Sequence, residues 1–225
     1  MMAHGSQRSY LFFYNSLSCI LWLHVFSLLA RSVIQGTIST SFFSDHQLAI
    51  CLAQFIAVFE IVHAALGWVS SPVLTVAIQV GSRFLVLFGI LNQVKSLQTH
   101  WVVLILLFAW ASSEIPRYLY YAMNLCGAVP YWLLWMRYSF FLVLYPLGIS
   151  SELFCIFNGM SLFKETGKWS IEMPNQFNFA FSYYYLLIWI LILYVPGSPH
   201  MYLHMYRQRA KHLAPKTNKM LFKKA

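Results

Sequence analysis

Six predominantly apolar stretches of about twenty residues each occupy most of the chain and leave it few ways to fold. They fall at residues 10–30, 48–69, 73–91, 101–125, 131–157 and 179–196. A helix of that length crosses the roughly 30 Å hydrocarbon core of a bilayer, and it satisfies its own backbone amides and carbonyls where no water can. The expected fold is an all-α polytopic membrane helix bundle with six transmembrane helices. Composition agrees, since 60% of the 225 residues are hydrophobic and only 9% are charged. A soluble domain usually carries about 25% charged residues, so this surface cannot face mainly water. The short connections at 70–72 and 127–130 make antiparallel neighbours of the helices they join, and 164–176 is the longest internal loop. There is no internal repeat and no second domain. Residues 1–225 read as one membrane-embedded domain with a short segment at 1–9 and a basic tail at 207–225. The first stretch, flanked by Arg8, is longer than a typical signal-peptide core and reads as an uncleaved anchor.

Orientation follows from where the positive charge lies. Seven of the fifteen Lys and Arg come after Tyr206: Arg207, Arg209, Lys211, Lys216, Lys219, Lys223 and Lys224. A nucleic-acid binder would spread such charge over a folded face, whereas here it trails a hydrophobic span. That is a positive-inside signal, not a nucleic-acid one. An even number of spans puts both termini on one side, and the tail makes that side the cytosol. The opposite loops then hold only Arg31, Lys95, Lys164 and Lys168.

Six charges fall inside the proposed spans: Glu60, Arg83, Glu114, Arg117, Arg137 and Glu152. Each would cost about 2.5–3.5 kcal/mol at a helix centre if left unpartnered. Glu114 and Arg117, three residues apart, can satisfy each other on one helix face. Packing and small residues normally hold such bundles together, so six charges point to a polar site in the interior.

The fifth span, Trp135–Glu152, is the most informative. Tyr145 and Glu152 are seven residues apart, within about 20° of one helix face. They lie roughly 10 Å from each other along the axis. Gly148 sits between them and leaves room for a substrate, and Pro146 is expected to disturb the helix. A phenol and a carboxyl beside a small-residue notch suit an acid–base pair; a kinked helix with an interfacial Tyr is the plainer alternative.

Other residue types carry less. Cys19, Cys51, Cys126 and Cys155 are scattered and read as small buried hydrophobes. None is followed by Arg in the Cys-x5-Arg spacing of a phosphatase loop. His200 and His204 form an i,i+4 pair that lacks further ligands, so no metal site is expected. His63, one turn after Glu60, reads as a hydrogen-bonding partner.

These features together resemble the very-long-chain 3-hydroxyacyl-CoA dehydratases, also known as protein tyrosine phosphatase-like proteins. The landmarks are Glu60-Ile61-Val62-His63, Gln79-Val80-Gly81-Ser82-Arg83, Glu114-Ile115-Pro116-Arg117-Tyr118 and the Trp135–Glu152 run. Met173-Pro174-Asn175 and the stretch from Tyr194 to Tyr202 resemble the plant PASTICCINO branch. The similarity covers nearly the whole chain, with Pro116 standing where an aliphatic residue is expected.

The resemblance implies that Tyr145 and Glu152 are the catalytic pair. It also implies that Gln79, Arg83, Arg117, Arg137 and Gly148 bind substrate or support the site. The implied reaction is the third step of fatty-acid elongation, loss of water from a (3R)-3-hydroxyacyl-CoA to give the trans-2-enoyl-CoA, without a cofactor. The implied setting is the endoplasmic-reticulum membrane, beside the condensing enzyme, ketoreductase and enoyl reductase of the elongation cycle. Lys223 and Lys224 stand third and second from the end, one place off a dilysine retrieval signal. The sequence permits either member of the pair to be the acid. CoA would stay near the cytosolic basic surface and the acyl chain in an apolar tunnel. Two rivals are a catalytically silent scaffold of the same fold and a small transporter. Retention of Tyr145 and Glu152 argues against the first, and the absence of matching halves against the second.

Overall fold

The computed structural model describes residues 5–36, 41–176 and 178–213. Six helical units in it are long and apolar enough to cross a membrane, as expected. The chain is a multi-pass membrane protein. In order, α1 is Gly5–Ile34, the short α2 is Phe42–Asp45, α3 is Gln47–Phe55 and α4 is Val58–Ala65. Then come α5 (Val73–Phe84), running directly into a π-helical segment (Leu85–Leu91), the short α6 (Lys95–Gln98) and α7 (Trp101–Cys126). The last three are α8 (Tyr131–Ser139), α9 (Phe141–Thr166) and α10 (Tyr183–Leu213). The described residues hold no named strand, only one antiparallel bridge between Ile171 and Phe181.

Local chemistry sets several boundaries. Gly127 ends α7 in the left-handed region at φ 75°, where an L side chain is strained. Pro72 and Pro130, both extended, stand just before α5 and α8 and block any earlier start. At the other end of the membrane the His100 ring caps α7 by accepting from the Val102 amide at 3.2 Å.

Helix continuity departs from expectation at three places. The second span breaks at residues 56–57, where the Tyr14 hydroxyl of α1 donates to the Ile56 carbonyl at 2.9 Å, and its helix ends at Ala65. The fifth span is interrupted at Phe140, whereas α9 passes through Pro146 and continues to Thr166. The sixth starts at Tyr183 and runs on to Leu213, through Pro196 and Pro199, instead of stopping at Pro196. Proline removes an amide but its φ suits a helix, and a helix already held by its neighbours tolerates the lost bond. Arg207, Arg209 and Lys211 therefore belong to the end of α10 and not to a separate tail. The remaining tail lysines, and the lysine pair at 223–224, lie outside the described residues.

α7 is the most enclosed helix and packs against α1, α8 and α9. The main core joins Trp22, Leu106, Leu107, Trp110 and Tyr118 with Ile90 and Ile156. Gly159 of α9 lies so close to the π-helical segment that an added Cβ would come within 2.6 Å of Ile90 Cγ2. α4 and α5 form a small satellite core of Ala57, Ala64, Val76 and Val80. α10 lies at the edge, the least buried of the six, against α9 and α8.

Candidate active site

Four of the six intramembrane charges assemble into one network. Arg117 on α7 grips both oxygens of Glu60 on α4, Nη1 to Oε2 at 2.7 Å and Nη2 to Oε1 at 2.6 Å. Its Nε also donates to Glu114 Oε2 at 2.9 Å. Arg83 on α5 donates to the other Glu114 oxygen at 2.5 Å, and the Tyr118 hydroxyl donates to Glu60. Two carboxylates and two guanidiniums thus meet as a neutral set. Fork-shaped pairing of this kind is the strong form of the ion pair. The i,i+3 contact expected between Glu114 and Arg117 is present, but as part of a staple that ties α4 and α5 to α7.

Glu152 is the fifth charge, 8% exposed on α9. Both of its oxygens accept hydrogen bonds: Oε1 from Trp110 Nε1 at 2.9 Å and Oε2 from the Tyr194 hydroxyl at 2.8 Å. The Arg83 guanidinium stands 5.7 Å from the centre of the Trp110 ring, so this indole joins the ion network to Glu152. Tyr145, two turns back along α9, donates to the Ser198 carbonyl at 3.1 Å. α10 therefore touches both members of the expected pair, Glu152 through Tyr194 and Tyr145 through Ser198. Ser198 also back-bonds through its hydroxyl to the Tyr194 carbonyl at 2.6 Å.

The remaining expected residues divide. Gly148 is buried and faces α7, where an added Cβ would meet Ala109 Cβ at 3.9 Å, an ordinary van der Waals contact. Gln79 is exposed on α5 and takes no part in the ion network. Arg137, the sixth charge, lies apart from the other five, near Tyr121 and Tyr138. Trp110, Tyr194 and Ser198 were not singled out from the sequence. Tyr194 appeared only as the first residue of a resembling stretch, and no spacing rule links it to Glu152, 42 positions away.

An apolar groove of about 430 Å³ runs between α1 and α7, lined by Phe26, Leu29, Leu104 and Phe108 and reaching Leu147 of α9. Leu147, which lies between Tyr145 and Glu152 in sequence, is the α9 residue that lines it. Among the described residues no group of His, Cys, Asp and Glu is arranged to hold a metal ion.

Residues 54–215 match the family described as protein tyrosine phosphatase-like protein, PTPLA. The chain is 38% identical over 209 residues to very-long-chain (3R)-3-hydroxyacyl-CoA dehydratase PASTICCINO 2 of Arabidopsis thaliana, covering 92% of this chain and 94% of that protein. It is 36% identical over 206 residues to very-long-chain (3R)-3-hydroxyacyl-CoA dehydratase 2 of Homo sapiens, 92% and 81% of the two chains. With dehydratase 1 of Ovis aries the identity is 35% over 202 residues, 90% and 70%. No solved structure matches the chain. With a match over most of its length and relatives of this identity, the chain belongs to the protein tyrosine phosphatase-like (PTPLA) family.

Proposed function

We infer that the protein is a very-long-chain (3R)-3-hydroxyacyl-CoA dehydratase, a hydro-lyase of fatty-acid elongation. Identity of 35–38% over nine-tenths of the chain to proteins of that name carries the reading. The arrangement around α9 supports it, because a phenol and a carboxyl project from one helix within the apolar bundle.

Elimination requires a base at C2 and an acid at the C3 hydroxyl. Two neutral donors, Trp110 and Tyr194, point at Glu152, which suits a carboxylate that receives the C2 proton. The C2–H electrons form the new C2=C3 bond and the C3–O bond breaks. Tyr145, which holds a donatable proton, supplies it to the departing hydroxyl as water forms. Glu152 ends protonated and Tyr145 deprotonated, and transfer of one proton back resets the pair. Arg83 and Arg117 hold α5 and α7 in place behind Trp110. The groove beside Leu147 offers the acyl chain an apolar path along α1 and α7.

The same reading puts both termini in the cytosol, the protein in the endoplasmic-reticulum membrane, and the other elongation enzymes beside it. Purified protein supplied with a very-long-chain (3R)-3-hydroxyacyl-CoA should yield the trans-2-enoyl-CoA with no added cofactor. Failure to do so with stable, folded protein would favour the silent scaffold.

A further inference from the structure

None of the six acidic residues of the chain pairs with Arg137 or Arg209. Glu60 and Glu114 are in the ion network, and Glu152 lies between Trp110 and Tyr194. Asp45 accepts from Ser41, and Glu165 and Glu172 flank the turn after α9. Segments 1–9, 66–72, 126–130 and 207–225 contain no Asp or Glu at all. Arg8 is occupied, donating to the Leu125 carbonyl at the end of α7.

Arg137 and Arg209 are not so provided for. The Arg137 guanidinium lies 5.7 Å and 5.8 Å from the Tyr121 and Tyr138 ring centres, and its Nη2 reaches the Tyr121 hydroxyl only at 3.3 Å. Its Nε is buried and has no hydrogen-bond partner. From α10, Arg209 Nε reaches Ser139 Oγ, two residues along from Arg137, also at 3.3 Å. Arg137 on α8 and Arg209, packed against α8, thus each carry a long, weak hydrogen bond, and neither has a carboxylate partner among the described residues. Unpaired charge in such a place is costly, and the usual remedy is an anion.

We propose that Arg137 and Arg209 form the subsite for the phosphate-bearing half of the CoA substrate. Guanidinium forks suit phosphate oxygens, and no Asp or Glu pairs with either arginine. Spacing agrees: Arg137 on α8 precedes Tyr145 on α9 by eight residues, about 12 Å at helical rise across the break at Phe140, within the reach of a pantetheine arm. Phosphates at Arg137, thioester near Tyr145 and Glu152, and acyl chain in the groove then follow one another in order. The proposal rests on the dehydratase reading.

The test compares a 3-hydroxyacyl-CoA with the matching 3-hydroxyacyl-pantetheine, which has the same thioester and no phosphate, using full-length protein in neutral-lipid nanodiscs. The native protein should show a lower KM for the CoA thioester, and added salt should narrow the difference. Arg209→Gln and Arg137→Gln should each raise KM for the CoA thioester about tenfold or more, as loss of a charged hydrogen bond implies, with kcat little altered. Arg137→Lys should fold where Arg137→Gln does not, and should recover part of the loss. On the pantetheine thioester, native protein and variants should converge. Equal losses on both thioesters, or no preference for CoA in the native protein, would overturn the subsite. So would losses that appear only with anionic lipid present, which would assign the pair to a lipid headgroup. Native protein that dehydrates neither thioester would instead remove the dehydratase reading.

Discussion

Tyr145 and Glu152 are separable in their consequences because each can lose its proton chemistry while keeping its shape. Tyr145→Phe and Glu152→Gln should each lower turnover about 10²–10⁴-fold per folded molecule, the usual contribution of a positioned acid or base. Conversion of 3-hydroxyacyl-CoA normalised to folded protein measures this, and near-normal turnover in both variants would remove the pair. Tyr194→Phe removes one of the two donors to Glu152 and should cost about tenfold or more in kcat with KM little changed. A Tyr194→Phe variant that loses stability but not kcat would make that residue a packing element only. That Tyr145 and Glu152 share one helix was legible in the sequence, because seven-residue spacing is a local property. Trp110 and Tyr194 were not, since contacts between helices 42 residues apart depend on packing that no local pattern encodes.

At the level of helices, the ion network explains how a hairpin with a small core stays attached. α4 and α5 share only a satellite cluster, and Glu60 and Arg83 tie them to α7 through Arg117 and Glu114. Arg117→Ala would take a charged partner from both carboxylates, leaving Glu114 with Arg83 and Glu60 with the Tyr118 hydroxyl, and should destabilise the fold by about 3–5 kcal/mol, more than Arg83→Ala, which takes one partner from Glu114 alone. Thermal unfolding in detergent would rank them, and equal stability of both variants with the native protein would show that the network carries no load. The sequence marked these charges as costly and paired Glu114 with Arg117, but the link to Glu60 depended on how α4 approaches α7. Helix ends were the less legible part. Pro196 reads as a stop, yet α10 continues to Leu213 because neighbouring helices hold it where its own hydrogen bonds are missing.

For the whole molecule, six spans and the basic end of α10 predict that the termini share the cytosolic side and that the turn after α9 lies opposite. Engineered glycosylation sites test this: an extended turn near Lys168 should accept a glycan, and a site near Lys216 should not. The opposite result would require a different number of spans. The count of six spans was open to sequence reasoning because hydrophobic length is fixed by bilayer thickness, whereas the side each loop occupies rests on charge asymmetry alone. The marginal position of α10 has one more implication. A helix with so little of itself inside the protein leaves most of its apolar length against the acyl tails around it, and it supplies one contact to each member of the proposed pair. Membrane thickness and lateral pressure thereby become determinants of the chemistry. Bilayers much thinner or thicker than the hydrophobic length of α10 should depress kcat while leaving the ion network, measured by unfolding temperature, almost unaffected.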